Sequence, residues 1–479
     1  MLKRTATAPG IAAAAVCAAV ALTLSACAVG PSFRTPAVPA GAEFAARTLV
    51  DAKADAVNES WWQLFNEPLL DELVSAALNA NQDIQQAQAR VREARASLIA
   101  QRFDYLPTLG ASASGGAQRQ SNNGALGGPP AQRDFELYDA GFDARYELDL
   151  FGRVRRANQA ASAQSQSAQA ALAGARLSVV AEVARNYFEL RGAQSRLAVA
   201  RRNADYQQQA LVVVQARQDA GRGTLLDTAR ATAQVQQTLA TVAPLEAQVD
   251  RSVRRIAVLT GQVPGSLSAR LQPVKAMPAL PTGIALGDPA GLLRRRPDVR
   301  IAESELAASV ARVGVAMGDL FPRVSLTGNV GVRALSFGAL SDAGNDRYAF
   351  GPSITWGLFD YGRLRQQIAA ADARSAAQWA NYQQTVLLAL EDTDNALSDY
   401  GRERQRLVHL QAAVTAGDQA AELAMKRFTG GVADFLTVLD AYRSALEVED
   451  QLALGQIRTA TALIAVYKAL GGGWDNGAP

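Results

Sequence analysis

The sequence has few of the residues that hold metal ions or carry acid–base chemistry. Its 479 residues include one histidine, His409, four methionines and two cysteines. Such an inventory disfavours a metalloenzyme and an enzyme that uses histidine as its general acid or base. We find no nucleophile elbow, phosphate-binding glycine loop or zinc-ligand spacing, and His409 lies in a helical run. We therefore expect a protein that is not an enzyme and that has no metal or other cofactor.

The sequence also has no cysteine pair in its body, no long apolar run after residue 30 and no large excess of one charge. Cys17 and Cys27 both lie near the amino terminus, so the body of the chain has no disulfide framework. No stretch after residue 30 is apolar over the length that a membrane-spanning helix needs. The formal net charge of +3 is too close to balance for a nucleic-acid binder, so we expect no nucleic-acid partner.

The amino-terminal segment has the pattern of a processed leader. Lys3 and Arg4 precede the apolar run Ala12–Leu24, which has signal-peptide length. The run ends in Leu24-Ser25-Ala26-Cys27, which resembles a bacterial lipobox and implies that Cys27 carries acyl chains after cleavage. More than one acyl chain gives a stable membrane anchor. The alternative is an ordinary signal peptide cut elsewhere, with Cys27 incidental.

The chain repeats itself once. Pro107 matches Pro322 at a spacing of 215 residues, and Gly152 matches Gly362 at a spacing of 210. The length change therefore lies between Pro107 and Gly152. A repeat of this length indicates duplication of one supersecondary unit. The predicted divisions are a signal peptide 1–26, a lipid-anchored extension 27–60, a first repeat 61–265, an equatorial linker 266–294, a second repeat 295–473 and a tail 474–479.

Each repeat contains a very long helix followed by a turn and a second helix. No proline occurs from Gly152 to Ala243 or from Ser353 to Ala478, and both stretches are rich in good helix formers. A seven-residue spacing of apolar residues predicts a coiled-coil seam. The seam residues are Val183, Leu190, Leu197, Ala204 and Leu211. A helix from Gly152 to Gly221 would be roughly 100 Å long.

Four segments alternate between apolar and polar residues over ten or more positions. They are Leu106–Gln118, Leu137–Asp149, Val324–Arg333 and Tyr348–Leu358. Such segments are typical of outer-membrane β-barrel strands, although a soluble sandwich strand alternates in the same way. Turn-rich polar loops join them in pairs. Four strands cannot close a transmembrane barrel and open edges are not tolerated in lipid, so several chains must pool their strands, and three would supply twelve.

Motifs along nearly the whole chain resemble the TolC family of outer-membrane factors, especially its lipoprotein branch that works with resistance-nodulation-division (RND) pumps. These motifs are Trp61-Trp62-Gln63-Leu64-Phe65, Glu147-Leu148-Asp149-Leu150-Phe151-Gly152-Arg153, Arg295-Arg296-Pro297-Asp298-Val299 with Phe321-Pro322, and Val466-Tyr467-Lys468-Ala469-Leu470-Gly471-Gly472-Gly473-Trp474. The resemblance implies an α+β membrane protein with an internal twofold repeat. It implies a trimeric twelve-stranded outer-membrane β-barrel, with four strands per protomer, that continues into a long periplasmic α-helical barrel.

The resemblance also implies a function, a location and partners. The protein would be the outer-membrane channel of a tripartite efflux pump, a passive conduit for small toxic molecules that extends into the periplasm. Its partners would be two further copies, a periplasmic membrane-fusion adaptor, an inner-membrane RND transporter and outer-membrane lipid. Alternatives are a channel for type I protein secretion or heavy-metal efflux, and a structural coiled-coil envelope lipoprotein.

The resemblance places a periplasmic gate just after the second helical turn. It implies an apolar and ionic constriction by Leu436, Asp440 and Arg443. Weaker counterparts in the first repeat would be Leu226, Asp227 and Arg230. The alternative is that Asp440 and Arg443, three positions apart on a helix, form an ordinary surface pair.

The two helical turns themselves are predicted to form the tips that meet the adaptor. Glycine accepts positive φ at little cost, so the predicted turn residues are Gly221, Gly223, Gly430 and Gly431. Arg217 and Arg427 are predicted to be exposed beside the turns and to dock the adaptor. The alternative is that these arginines cap helix C-termini. Phe428 stands where close relatives often have a tyrosine, so any hydrogen bond from that hydroxyl is lost.

Overall fold

The computed structural model describes residues 28–36, 44–53, 60–121, 134–281, 283–286 and 289–472. The predicted signal peptide, the predicted lipid site Cys27, most of the first polar loop and the tail lie outside these residues. The described residues contribute to two compact units, each drawn from three stretches of chain. We call residues 1–36, 91–168 and 302–382 the sheet unit, and residues 37–90, 169–301 and 383–479 the core unit.

The chain is mostly helical. The helices are α1 (Pro68–Ala80), α2 (Gln82–Arg102), α3 (Arg153–Asp219), α4 (Leu225–Ala240), α5 (Val242–Leu259), α6 (Ser268–Leu271), α7 (Pro289–Arg295), α8 (Pro297–Gly318), α9 (Tyr361–Thr429) and α10 (Phe435–Ala469). Helices α3 and α9 have 67 and 69 residues, as the proline-free stretches predict. Among the described residues, no helix combines the length and the apolar character that crossing a membrane requires.

Six strands form two sheets among the described residues. The strands are β1 (Ala52–Lys53), β2 (Thr108–Arg119), β3 (Asp134–Leu148), β4 (Ile284–Ala285), β5 (Arg323–Ala334) and β6 (Asp346–Thr355). β1 and β4 form a short parallel pair in the core unit. The other four form an antiparallel sheet in the order β2-β3-β5-β6. The four predicted strands are therefore present, although β6 ends at Thr355 and not at Leu358, where a 3₁₀ turn begins.

The segment that follows the predicted lipid site packs within the sheet unit. The Val29 N–H donates to the Phe151 carbonyl at 3.1 Å. The Arg156 side chain, 5% exposed, donates to the carbonyls of Val29 and Gly30. Gly30, at φ +90°, lies so close to Gly314 that a β-carbon would meet the Gly314 Cα at 2.6 Å. The segment is therefore held against the first turns of α3 and against α8.

The core unit has one large apolar core that joins distant parts of the chain. Trp61, fully buried in a 3₁₀ turn, stacks on Tyr467 of α10 at 5.2 Å between ring centroids. Phe65 packs on Phe188 of α3 at 4.7 Å. Burial, followed by the nearby Tyr400, raises the pKa of Tyr467 to about 12. Because buried aromatic rings contribute most to a core, these contacts close the unit around α3, α9 and α10.

The predicted coiled-coil seam is buried. Its five residues, Val183 to Leu211, are all at most 7% exposed. The repeat is less regular at its end. The first repeat's last helix is interrupted at Thr241 to give α4 and α5, whereas α10 is continuous over 35 residues.

Candidate functional site

One face of the four-stranded sheet is apolar and uncovered in the single chain. The register places Phe142 opposite Ala111 and Val330, and Val330 opposite Tyr348. Phe350 on the same face is 83% exposed and Tyr348 is 73% exposed. A contiguous exposed apolar face of this kind marks a surface that meets lipid or a partner.

The other face of the sheet is polar and charged. Asp139 lies opposite Arg333, Asp143 opposite Asn329, and Arg145 opposite Thr327. Since side chains alternate between the faces of a strand, this is the separation that the sequence predicts.

Three strands are tied together by ion pairs on the polar face. Asp139 of β3 accepts from Arg333 of β5 at 2.6 Å and from Arg347 of β6 at 2.5 Å. Arg347 also donates to the Asn329 side chain at 2.9 Å. The alternation of β3 predicts that Asp139 lies on the polar face, but no sequence pattern predicts that it binds these two arginines.

The sheet has two open edges among the described residues. β2 and β6 each pair with one neighbour only, so both carry backbone groups without a strand partner. A sheet with an apolar face and open edges needs more strands before it can be closed.

The helical tips have the same turn in both repeats. The Arg222 N–H donates to the Arg217 carbonyl at 2.8 Å, and the Val432 N–H donates to the Arg427 carbonyl at 3.0 Å. This is the Schellman ending of a helix, which needs a left-handed residue.

Only two of the four predicted turn glycines adopt that left-handed conformation. Gly221 has φ +68° and Gly431 has φ +77°. The prediction of positive φ was wrong for Gly223 and Gly430. A β-carbon on Gly223 would meet the Gln218 backbone nitrogen at 3.0 Å, so close approach explains this glycine. At Gly430 the nearest atom is the Lys426 carbonyl oxygen at 3.4 Å, an ordinary contact.

The helices that leave the tips are capped by the same two residue types in exchanged positions. Thr224 caps α4, and its hydroxyl accepts from the Asp227 N–H while the Asp227 carboxylate accepts from Thr224. Asp434 caps α10 and accepts from the N–H and hydroxyl of Thr437 at 3.0 and 2.6 Å. The Thr437 hydroxyl and N–H hold the pKa of Asp434 below its ordinary value.

Arg217 connects the two tips instead of being free for a partner. Its guanidinium donates to the carbonyls of Phe428 and Thr429 at 2.6 and 3.4 Å and lies over the Phe428 ring at 4.0 Å. Arg217 is half-buried and caps the C-terminus of α9, not of its own helix, so the alternative of a capping arginine is observed, while its docking role stays a prediction. Arg427 is exposed, and its side chain has no partner among the described residues.

The three predicted gate residues lie on one helix and are all exposed. Leu436, Asp440 and Arg443 belong to the first turns of α10, and Leu436 is 43% exposed. Neither Asp440 nor Arg443 has an ion-pair partner among the described residues, so the alternative of a simple pair on the helix surface is not observed. Arg443 borders a groove of about 630 Å³ that also contains the Arg196–Asp450 ion pair.

The predicted counterparts in the first repeat match only in part. Counting from the caps, Leu226 occupies the place of Leu436, and Arg230 occupies the place of Asp440. Asp227 occupies the place of Thr437 and serves in the cap. The first repeat therefore has a positive charge where the second has a negative one.

The described residues contain no group of three or more His, Cys, Asp or Glu that could hold a metal ion. His409 lies on the exposed surface of α9, as predicted.

Comparisons with known proteins agree on one family. A family model described as outer membrane efflux protein matches residues 73–262 and 289–472. The chain is 32% identical to the outer membrane protein OprJ of Pseudomonas aeruginosa, over 96% of this chain and 95% of the relative. It is 29% identical to the toluene efflux pump outer membrane protein TtgI of Pseudomonas putida, over 95% and 97%. The solved structure of the outer-membrane channel OprN is 40% identical, covers 94% of this chain and 100% of its own, and superposes with a TM-score of 0.89.

Proposed function

Because the chain belongs to the outer membrane efflux protein family, we propose that three copies assemble into one channel, each copy supplying β2, β3, β5 and β6 to a twelve-stranded barrel. The protein is an outer-membrane component of an efflux pump. The observation that carries the trimer is the uncovered apolar sheet face bounded by two open edges. When neighbouring copies join edge to edge, the open edges gain strand partners, and lipid covers the apolar face.

In this assembly the polar sheet face lines the channel, and no bond is made or broken during transport. The cargo is a small toxic molecule, and the toluene pump among the relatives supports an organic cargo. A pump of this type also needs an inner-membrane transporter, here of the RND class, and a periplasmic adaptor. The exposed Arg427 at the second tip is the residue that we assign to adaptor docking, together with the tip glycines.

The gate of this channel lies at Leu436, Asp440 and Arg443. Asp440 and Arg443 are exposed, opposite in charge and without an ion-pair partner among the described residues, and they would pair with the same residues of neighbouring copies. Leu436 would add an apolar ring beside them. Arg230, at the equivalent position in the first repeat, offers a partner for Asp440. Cys27, which lies outside the described residues, is the proposed lipid anchor.

The assembly is tested with the mature protein in which Cys27 is replaced by serine. We expect it to remain in the outer membrane, to require detergent for extraction and to have a trimeric mass by light scattering. Insertion of the barrel, and not the lipid alone, produces this behaviour. A water-soluble monomer would overturn the proposal. In a host whose own gene is deleted, expression of the chain should restore tolerance to a panel of toxic compounds.

The gate is tested by combining Asp440→Ala with Arg443→Ala. We expect a higher single-channel conductance in planar bilayers, since the pairs between copies are lost. The control combines Glu422→Ala with Lys426→Ala. It removes the ion pair between these residues of α9, and so one charge of each sign, as the test variant does. Conductance equal to that of the wild type in the Asp440/Arg443 variant would refute the gate assignment.

A further inference from the structure

The polar sheet face has an excess of positive charge at one level only. The face carries four arginines and three carboxylates by the register of the strands. They are Arg145, Arg323, Arg333 and Arg347, with Asp139, Asp143 and Glu147. Two of these seven are paired with residues beyond the strands: Glu147 with Arg153 at 2.9 Å, and Arg323 with Asp319 at 2.6 Å.

The remaining five charges leave one net positive charge. Asp143 and Arg145 are successive residues of the same face and cancel. Asp139 has one negative charge and binds two arginines, Arg333 and Arg347. The excess therefore belongs to this trio, which we call the arginine cluster.

The arginine cluster lies toward the loop end of the sheet. Arg333 and Arg347 are in the last two residues of β5 and the first two of β6, next to the connecting residues 335–345. The opposite end of the sheet continues into the helices through Leu148 and Arg153. Two nearby carboxylates, Glu136 and Asp346, alternate onto the apolar face, because they lie opposite Ala117 and Val332.

The cluster is built into the sheet and is not a loose surface pair. The Asp139 side chain is 13% exposed and that of Arg347 is 31% exposed. The Arg347 Nε is buried and has no hydrogen-bond partner among the described residues. Because Asp139 carries one negative charge and its two arginines carry two positive charges, the field of one positive charge stays uncompensated near a passing anion.

We propose that the arginine cluster is a charge filter that favours anionic over cationic solutes at the outer exit of the channel. The inference rests on the proposed function, because only a closed barrel turns the polar face into a lumen. Three copies would place three net positive charges at one level. A charged ring in a pore biases which ions pass, and its field reaches about 10 Å at 0.1 M salt.

The test uses two substitutions that change the charge of the cluster in opposite directions. Arg347→Gln leaves Arg333 paired with Asp139 and brings the net charge to zero. Asp139→Asn leaves both arginines without a counter-charge. From the reversal potential in a KCl gradient around 0.1 M, we expect the chloride-to-potassium permeability ratio to fall about twofold in the first variant and to rise about twofold in the second. Both shifts should shrink near 1 M salt, where the screening length is about 3 Å.

A matched control removes a positive charge from the other face of the sheet. Arg119 pairs with Asp134 at 3.1 Å, is 69% exposed and alternates onto the apolar side, so Arg119→Gln should leave the permeability ratio unchanged. Conducting trimers in which both cluster variants shift the ratio in one direction, or leave it unchanged, would overturn the filter. Failure of the proposed function has a different signature, since the wild type itself would then form no conducting trimer.

Discussion

At the scale of single residues, Phe428 holds the second tip through contacts of its ring, since it has no hydroxyl to offer. Its ring is 5% exposed, packs on Phe435 at 5.6 Å between centroids, and carries the Arg217 guanidinium on its face. Contact between a cation and a ring stabilises by about 0.5–1 kcal/mol at exposed sites and by more when desolvated. The two tips of one chain are therefore held together without the hydroxyl.

Replacing Arg217 by alanine should loosen the tips. The change removes the ring contact and the hydrogen bond from the guanidinium to the Phe428 carbonyl, which then accepts from the Gly431 N–H alone. A hydrogen bond from a charged group contributes about 1.5–3 kcal/mol. We expect a larger mean conductance and more frequent openings in planar bilayers. Arg222→Ala is the control, because Arg222 is exposed at the same turn. Identical traces from the two variants would show that Arg217 does not restrain the tip.

The sequence could identify these residues but not their partners. A missing hydroxyl at Phe428 is visible in a sequence, and so is an arginine before a glycine turn. That Arg217 binds a carbonyl of another helix depends on how the two helix ends pack, which no local pattern encodes. Asp227, which was predicted for the gate, serves in the cap of α4, because a Thr-x-x-Asp spacing that begins a helix satisfies the cap first.

At the scale of elements, the two return helices begin with exchanged caps. The carboxylate is the third residue of α4 but the capping residue of α10. At Asp434 the carboxylate accepts two hydrogen bonds, and its pKa is lowered as a result. A group with a lowered pKa stabilises the folded state above its ordinary pKa of about 3.9, and this stabilisation is lost as the pH falls through the lowered value.

The first turn of α10 should therefore fray in acid. We expect amide hydrogen exchange at residues 435–438, corrected for its intrinsic pH dependence, to accelerate several-fold relative to neutral pH as the pH falls through 4 and below. Asp434→Asn should exchange at a rate that varies little over this range, because its side chain does not titrate. Thr224→Ser is a suitable reference, since it alters the other cap without adding a titrating group there. If exchange in the wild type and in Asp434→Asn accelerated equally in acid, the Asp434 cap would not be the cause of the fraying.

Helix ends were predictable where glycine or proline marks them. The predicted bounds Gly152 and Gly221 differ from the observed Arg153 and Asp219 by one or two residues. The interruption at Thr241 was not predicted, although its cause was in the sequence. A proline ring clashes with the carbonyl four residues earlier, and the residue four before Pro244 is Ala240, the last residue of α4.

At the scale of the whole molecule, the core unit depends on contacts between residues far apart in the chain. Trp61 is fully buried between Trp62, Phe65 and Tyr467. Truncation of a buried tryptophan costs about 3–5 kcal/mol. Trp61→Ala should therefore lower the midpoint temperature of unfolding, followed by circular dichroism in detergent.

The control for this change is Trp379→Ala. Trp379 also stacks on a tyrosine, Tyr382 at 6.0 Å, but it is 43% exposed. We expect a much smaller fall in the midpoint temperature. Equal falls for the two substitutions would mean that burial of Trp61 does not determine its contribution.

The internal repeat was readable from the sequence, whereas the division into units was not. Residue spacing reveals a duplication, and the strands and long helices follow from alternation and from the absence of proline. Each compact unit, however, takes residues from both repeats. The spacing of matching residues identifies the segments that are alike. Which segments pack together depends on the apolar surfaces of helices such as α1, α3 and α10.

The stack of Trp61 on Tyr467 has a consequence for biosynthesis. Trp61 precedes α1 and Tyr467 lies in α10, so ribosomes must synthesise nearly all of the described residues before this nucleus can close. Contacts so distant in sequence form slowly. The delay would give a chain destined for the outer membrane time to leave the cytoplasm before its interior is complete.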